Sequence, residues 1–359
     1  MLKKITISLI LFLLVSCTTE KSKTANQKEE VNKTEKQEFG EHKSIHQQEW
    51  EEHKDKSSDK HIGSTSLDVK IVSTETITDN VNKKFMLPRF TSDGKTIIFT
   101  TDNYNEIWTY DIEKKIINQF NSLPGSGYKF EISADGKKLY FRNKTFTKNN
   151  PKAQYTIVEQ LIENKKMNIL YISKNVLTPP VQIGNEIVFL ENDNPKSYNL
   201  KTKKISENFT STFISVVNNK LLKFTGNKVE EISLNGMNPI SAKYTSDKKN
   251  IICLTATKGV LLLDENGIPV NNYPKAFSLS KLNNSNLVVF TEEEDDGKQI
   301  IKSEIYLGFT NSDKKIKLTN LEDEKVFNPA WSSTENKITY NTEDGKIKII
   351  TLKINLKEK

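Results

Sequence analysis

Four segments of this chain repeat one short pattern: a strand, a tight polar turn and a second strand. They occupy residues 88–99 (PRFTSDGKTIIF), 130–141 (FEISADGKKLYF), 242–254 (AKYTSDKKNIICL) and 329–340 (PAWSSTENKITY). A supersecondary unit that recurs at such intervals cannot bury its own apolar face and must stack on its neighbours. The sequence therefore predicts an array of β-hairpins.

The turn residues explain why these segments read as hairpins. Gly94 and Gly136 tolerate a positive φ, and the side chains of Asp93 and Asp135 can accept hydrogen bonds from nearby backbone amides. Strands rich in β-branched and aromatic residues follow. Weaker hairpins of the same size are predicted at residues 180–189, 213–224 and 277–290.

Counting the hairpins gives seven units, which begin near residues 88, 130, 180, 213, 242, 277 and 329. Third and fourth strands follow most of them, for example at residues 106–111 and around 116–117, and four antiparallel strands make one blade of a β-propeller. The predicted fold class is therefore all-β, a β-propeller of four-stranded antiparallel blades. Seven blades are expected, although the short spacing of the middle units also fits six.

The two ends of the repeat array are unequal. The last unit supplies only three strands, whereas a strand-like segment at residues 69–78 precedes the first hairpin without a blade of its own. We expect this segment to pair beside residues 346–354 as the outer strand of the last blade. Such pairing closes the ring and removes an exposed edge.

The repeat at residues 329–340 resembles that of the TolB-type, WD-repeat-like propellers of bacterial envelopes, in which Pro-x-Trp-Ser-x-Asp-Gly-Lys leads into an Ile- and Phe-rich strand. The copies near residues 88 and 130 keep Asp-Gly-Lys, and the last copy has lost it. The resemblance implies a propeller that binds other envelope proteins, in an outer-membrane assembly or integrity complex. Fold-level resemblance does not by itself define a function.

The amino terminus has the pattern of an export signal. Lys3 and Lys4 precede an apolar run at residues 5–14, and residues 14–17 (LVSC) have the shape of a lipobox. The run is shorter than the roughly 18 to 20 residues that span a membrane. We predict a lipoprotein signal peptide over residues 1–16. Resemblance to bacterial lipoproteins implies a lipid on the Cys17 sulfur that anchors the protein to a membrane.

The residue after the lipidated cysteine bears on which membrane holds the protein. Thr18 is not the Asp that retains many lipoproteins in the inner membrane. The resemblance therefore implies the outer membrane, with the propeller facing the periplasm, or the exterior of the plasma membrane in a cell without an outer one. Nucleic acid is not an expected partner of an exported protein.

The segment between the anchor and the repeats is polar. Residues 18–66 carry 9 Lys against 11 Asp and Glu and almost no aliphatic residues, a composition that cannot bury enough apolar surface to fold. We predict a lipidated, mostly disordered tether at residues 17–66 and a propeller domain at residues 67–356.

All four histidines of the chain fall in this tether. On a helix, four side chains would share one face and form a possible set of transition-metal ligands: His42, His46, Glu49 and His53. No fold is expected to hold them in place, so they stay weak candidates, and no metal or cofactor is predicted. A short amphipathic helix that presents Ile45 and Trp50 to a partner is an alternative.

The propeller segment lacks the residues of common catalytic sites. No histidine follows His61, which excludes Ser-His-Asp and Cys-His mechanisms, and Cys253 lies in an apolar strand as a small buried residue. The acidic run at residues 292–297 (EEEDDG) lacks the spacing of a calcium loop and reads as a solvated hairpin tip. Trp108 and Trp331 lie in strands and are expected to pack between blades.

The sequence therefore favours a protein that is not an enzyme and that binds partners through its loops, first of all the insertions at residues 145–155 and 292–299. Two other classes stay open. One is an enzyme or small-ligand site in the central pocket that uses carboxylates such as Asp111 or Glu131. The other is a surface-exposed adhesin or antigen held out on the tether.

Overall fold

The computed structural model describes residues 66–357 apart from 148–149, 246, 283–284 and 320–323. This part of the chain contains 27 strands and no helix. The signal peptide, Cys17 and the tether with its histidines lie outside the described residues.

The strands form seven antiparallel sheets, which are the seven blades of a propeller ring. Blades 1 to 3 contain the strands β2 (Phe85–Phe90), β3 (Thr96–Thr101), β4 (Ile107–Asp111) and β5 (Ile116–Asn121); β6 (Glu131–Ile132), β7 (Lys138–Thr147), β8 (Asn150–Leu161) and β9 (Met167–Ser173); and β10 (Val181–Ile183), β11 (Glu186–Glu191), β12 (Asn194–Asn199) and β13 (Lys204–Ser206).

Blades 4 to 6 follow in the same order along the chain. Their strands are β14 (Thr212–Val217), β15 (Lys220–Thr225) and β16 (Lys228–Ile232); β17 (Pro239–Tyr244), β18 (Asn250–Thr255), β19 (Gly259–Asp264) and β20 (Pro269–Tyr273); and β21 (Ala276–Lys281), β22 (Leu287–Asp295), β23 (Ile300–Phe309) and β24 (Ser312–Lys317). Blade 7 consists of β25 (Val326–Trp331), β26 (Lys337–Thr342), β27 (Ile347–Lys357) and, from the other end of the chain, β1 (Ser66–Thr76).

The predicted closure of the ring is confirmed. β1 pairs antiparallel with β27 from Ser66 opposite Lys357 to Thr76 opposite Lys348, with one bulge near Val72. The backbone N–H of Ile77 continues the contact by donating to Ile347 O at 2.9 Å. The predicted count of seven blades is also confirmed, with starts close to the expected positions.

Six of the sheets have four strands, as predicted, but blade 4 has three among the described residues. Only residues 233–238 separate β16 from β17, which leaves no room for a fourth strand and the connection that would have to follow it. The prediction of four strands is wrong for this blade.

The core consists of seven apolar clusters, one between each pair of neighbouring blades. Side chains of a strand alternate between its two faces, so the second strand of each blade serves two clusters. In β3, Ile97 and Phe99 pack towards blade 7, whereas Ile98 packs towards blade 2. Cys253 lies fully buried in the cluster between blades 4 and 5, as predicted for a small apolar side chain, and burial raises the pKa of its thiol to about 11.

The turns that gave the repeat its signature lie together at one end of the ring. Gly94 and Gly136 have φ values of 70° and 71°, and Asp93 Oδ1 accepts hydrogen bonds from Thr91 Oγ1 at 2.6 Å and Lys95 N at 3.0 Å. Ser333 of blade 7 donates to Ser92 O of blade 1 at 2.6 Å. We call this end, which carries the turns between first and second strands, the turn face.

The opposite end carries the loops between second and third strands and the segments that join successive blades, because antiparallel strands alternate in direction. We call it the loop face. Contacts there repeat from blade to blade: Phe85 N donates to Gly345 O at 2.8 Å and Gly127 N to Tyr104 O at 2.9 Å. Since β1 starts opposite the last residue of β27, the chain enters the propeller at the turn face.

Candidate functional site

Two hairpins extend beyond the other blades at the loop face. In blade 1 the pairing between the second and third strands ends at Thr100 and Ile107. The equivalent pairs are Arg142–Ile157 in blade 2 and Thr291–Ile305 in blade 6, and in both blades the two strands continue beyond this pair. The extra four or five residues project by about 13 to 17 Å, at about 3.3 Å per residue. These hairpins coincide with the two insertions that the sequence singled out.

Cationic and aromatic side chains alternate along the first hairpin and the segment that leads to it. The Arg142 guanidinium lies 5.5 Å from the centre of the Tyr128 ring and 5.6 Å from that of Tyr155. Lys144 Nζ lies 5.7 Å from the centre of the Tyr155 ring and 5.2 Å from that of Phe146. Each such contact contributes about 0.5 to 1 kcal/mol where it is exposed.

The series continues towards the centre of the ring, because Lys129 Nζ lies 5.6 Å from the centre of the Tyr128 ring. We call the six residues the cation–aromatic ladder: Lys129, Tyr128, Arg142, Tyr155, Lys144 and Phe146. Phe146, at its outer end, has 62% of its surface exposed. Arg142 Nη1 donates to Leu177 O at 2.6 Å, which fixes the guanidinium, while its buried Nε has no hydrogen-bond partner among the described residues.

The second hairpin is acidic. Contrary to the expected loop tip, residues 292–294 belong to β22, and two of their carboxylates form ion pairs: Glu292 with Lys315 at 2.6 Å and Glu294 with Lys275 at 3.3 Å. Glu293 lies between them, and burial raises the pKa of its carboxyl to about 7 against a weaker opposing effect of a hydrogen bond from Thr291.

At the tip of this hairpin, Asp295 and Asp296 accept backbone hydrogen bonds from residues 297–299, so both carboxylates stabilise the turn. No group of three His, Cys, Asp or Glu side chains is arranged to hold a metal ion anywhere in the described ranges. The described part of the chain likewise offers no helix that could cross a bilayer.

The central channel is lined by the innermost strands. Six of the seven innermost strands have one residue at the same register position, opposite second-strand residues on the face towards the next blade: Ile98, Tyr140, Val188, Ile252, Val289 and Thr339. These six residues, which we call the channel ring, are Arg89, Glu131, Val181, Lys243, Ser280 and Ala330. None of them is fully buried.

Channel-ring side chains bind the free backbone edge of the next blade. Arg89 Nη1 donates to Phe130 O at 3.0 Å, and the guanidinium lies 5.4 Å from the centre of the Phe130 ring. Ser280 Oγ accepts from Trp331 N at 3.3 Å. An innermost strand has backbone groups without a neighbouring strand, and these side chains satisfy some of them.

The residues proposed from the sequence for a central pocket separate in the structure. Glu131 belongs to the channel ring, whereas Asp111 lies at the end of β4 in an outer turn, where it pairs with Lys114 at 3.0 Å. Trp108 and Trp331 pack in the clusters between blades 7 and 1 and between blades 6 and 7, as predicted. A cleft of about 590 Å³ near blades 4 and 5 is lined by uncharged residues such as Asn218 and Ile240.

No protein-family model and no curated protein sequence matches the chain. Solved structures do. The WD40 repeats of RRP9 align with 80% of this chain and 100% of theirs at 11% identity and a TM-score of 0.56. A chain of the mitotic checkpoint complex aligns with 80% of this chain and 93% of its own at 9% identity and a TM-score of 0.52.

An oligogalacturonate lyase in complex with manganese aligns over 74% of this chain and 76% of its own at 12% identity, with a TM-score of 0.44. At such identities the likeness to solved structures concerns the fold alone. The chain is thus a seven-bladed β-propeller whose blades resemble WD40-like repeats.

Proposed function

We propose that this chain is a lipid-anchored protein of the bacterial envelope that works as a non-catalytic scaffold, binding other envelope proteins at the loop face of its propeller. The observation that carries the proposal is the placement of the two long hairpins. Both extend from the loop face, whereas the chain enters the propeller at the turn face. A tether joined there leaves the hairpins directed away from its point of attachment.

The composition of the hairpins supports protein contact. Tyr and Arg are enriched among the residues that dominate binding at protein interfaces, and Arg142 makes cation–π contacts with both Tyr128 and Tyr155. Phe146 adds an exposed apolar group at the tip of the same hairpin. A basic hairpin and an acidic hairpin on one face also provide the charge pattern that orients a partner.

The envelope location rests on the lipobox at residues 14–17 and on the resemblance of the repeat to TolB-type propellers. The same resemblance suggests an assembly or integrity complex of the outer membrane, with the propeller in the periplasm. The absence of catalysis is proposed because the chain has no histidine after His61 and because burial raises the thiol pKa of Cys253.

In-cell crosslinking followed by affinity purification tests the proposal. We expect Phe146→Ala combined with Tyr155→Ala to lower partner recovery at least about fivefold, since each is an aromatic anchor. Ile169→Ala is the matched control, because Ile169 is 63% exposed but lies on the outer strand β9. Charge reversal at Glu294 and Asp295 should also lower recovery.

Equal recovery from the hairpin variants and from the Ile169→Ala control would contradict binding at the loop face. Protease treatment of intact cells distinguishes the periplasm from the cell surface, since digestion of the propeller in intact cells would favour the adhesin alternative. Substrate turnover by the purified protein would contradict the scaffold role.

A further inference from the structure

Three positive charges and one negative charge meet in the central channel. Arg89, Glu131 and Lys243 occupy equivalent register positions in the channel ring, and Lys129 precedes Phe130 at the start of blade 2. The other three members of the channel ring are uncharged. This part of the channel therefore carries an excess of two positive charges.

These side chains face one another across the channel. Blade 5 packs against blades 4 and 6, so Lys243 can approach residues of blades 1 and 2 only through the centre of the ring. Desolvation by the surrounding protein and, to a smaller extent, the positive charges of Arg89 and Lys129 lower the pKa of Lys243 to about 8, against the opposing effect of Glu131. Desolvation likewise raises the pKa of Glu131, against the charges of Arg89 and Lys243 and a hydrogen bond from the Gln182 backbone.

The Lys243 side chain is nevertheless exposed to solvent. A side chain that water reaches but that protein surrounds densely lies in a water-filled channel rather than on the outer surface. Such an enclosed position screens charges less than the outer surface does.

The protein neutralises these cations only in part. Within the described ranges the Lys243 side chain makes no hydrogen bond or ion pair, and Glu131 acts on it only through its charge at a distance. Arg89 Nη1 donates to Phe130 O, and this is the hydrogen bond that the described structure shows for its guanidinium, so further N–H donors are available to a ligand. Three like charges that share one counter-charge, Glu131, repel one another, and an anion between them would remove that cost.

We propose that the channel binds an oxyanion, a carboxylate or a phosphate group, between the Arg89 guanidinium and the Lys243 ammonium. Arg presents several donors in a planar fork that fits two oxygens of one group, and Lys supplies a point charge from the opposite side. Lys129 adds positive charge at the rim, where it also begins the cation–aromatic ladder. The proposal does not depend on the scaffold function, because the anion can be a free small molecule or an acidic side chain of a partner.

Isothermal titration of the purified full chain at constant ionic strength tests this site, with inorganic phosphate and citrate as free anions and a decapeptide of alternating Glu and Gly as the partner-like probe. We expect at least one probe to bind. Arg89→Met and Lys243→Met should each weaken its binding about tenfold or more, as expected for loss of a charged hydrogen-bond donor. Lys201→Met, on an exposed turn of blade 3, is the matched control and should change nothing.

Glu131→Gln separates binding from mere folding. Removing the one negative charge of the group should tighten anion binding about two- to fivefold, an effect that a damaged fold does not produce. Affinity for the anion should also fall between pH 7 and pH 9 as Lys243 loses its proton in the presence of Arg89, Lys129 and Glu131. The Lys243→Met variant should lack this change.

Phosphate or citrate binding indicates a free ligand, and binding of the peptide alone indicates a partner carboxylate. No binding of any probe up to about 20 mM, a range that covers even weak sites, would overturn the proposal. So would equal weakening by Lys201→Met and Lys243→Met, because that result indicates general attraction of anions to a basic surface.

Discussion

The Asp247 carboxylate and the Lys281 ammonium lie 2.5 Å apart, and only 7% and 6% of their side-chain surfaces are exposed. Asp247 belongs to the repeat turn of blade 5, and Lys281 ends the innermost strand of blade 6. The pair therefore joins two neighbouring blades at the turn face. Burial alone would raise the pKa of Asp247, but hydrogen bonds from Lys281, Thr245 and the Lys249 amide lower it to about 2.

Asp247→Asn should destabilise the propeller by about 3 to 5 kcal/mol, because it leaves the Lys281 ammonium buried without a counter-charge. Urea-induced unfolding at pH 7 measures the change. Asp111→Asn is the control, since Asp111 pairs with Lys114 in an exposed turn and its loss should have a much smaller effect. Equal effects of the two substitutions would contradict the role of burial.

The same pair predicts a dependence on acid pH. The pKa of Asp247 is lower in the folded state than in the unfolded chain, so its contribution is complete above about pH 4 to 5 and declines as the pH falls towards 2. The difference in unfolding free energy between the native chain and Asp247→Asn should shrink over that interval. A difference that stays constant down to pH 2 would be inconsistent with a salt bridge.

Closure of the ring by β1 should stabilise the whole propeller. Ile77, just after β1, is 8% exposed and packs with Phe85, Ile97 and Ile347. Ile77→Ala should cost about 2 to 4 kcal/mol, as for other large-to-small changes in a core. Val72→Ala, at a position that is 64% exposed in the same segment, should cost less than about 0.5 kcal/mol.

Removal of residues 66–78 extends this test from one side chain to the strand. The shortened chain should unfold in a single thermal transition at a lower temperature than the native chain. All blades are expected to unfold together because each core cluster is shared by two blades. An unchanged melting transition after the truncation would show that closure by β1 is not required.

The lipid anchor proposed at Cys17 predicts a separable effect. Cys17→Ala should release the protein from membranes into the soluble fraction, since several acyl chains are needed for stable anchoring and the variant would carry none. Circular dichroism of the variant should match that of the native propeller. Membrane fractionation and metabolic labelling with a fatty acid provide the measurement, and an unchanged membrane share in the variant would speak against lipidation.

Much of the fold could be predicted because its information is local. Asp93 and Gly94 mark a turn by their own chemistry, and the same chemistry recurs at Asp135 and Gly136. The missing strand of blade 4 had a trace in the sequence, the short interval between the hairpins near residues 213 and 242. Spacing alone does not assign that short interval to an incomplete blade, because it also fits a ring of six blades.

The candidate sites could be predicted only in part. The sequence singled out residues 145–155 and 292–299, but the cation–π contacts of Arg142 with Tyr128 and Tyr155 depend on tertiary structure that no spacing reveals. Arg89 and Lys243 are far apart in the chain and meet because they hold the same place in different repeats. Their equivalence follows from the pairing of each innermost strand with its second strand, in which Arg89 is opposite Ile98 and Lys243 is opposite Ile252.

The pairing of Ser66 with Lys357 puts the first and last described residues on adjacent strands, about 5 Å apart. A linker of a few residues could join them, and the backbone would then form a continuous circle with no fixed starting blade. New termini could be opened in a connection between other blades, such as residues 233–238, to give a circular permutant with the same set of blade contacts. The order in which the blades are synthesised is thus a property of this chain and not a requirement of its architecture.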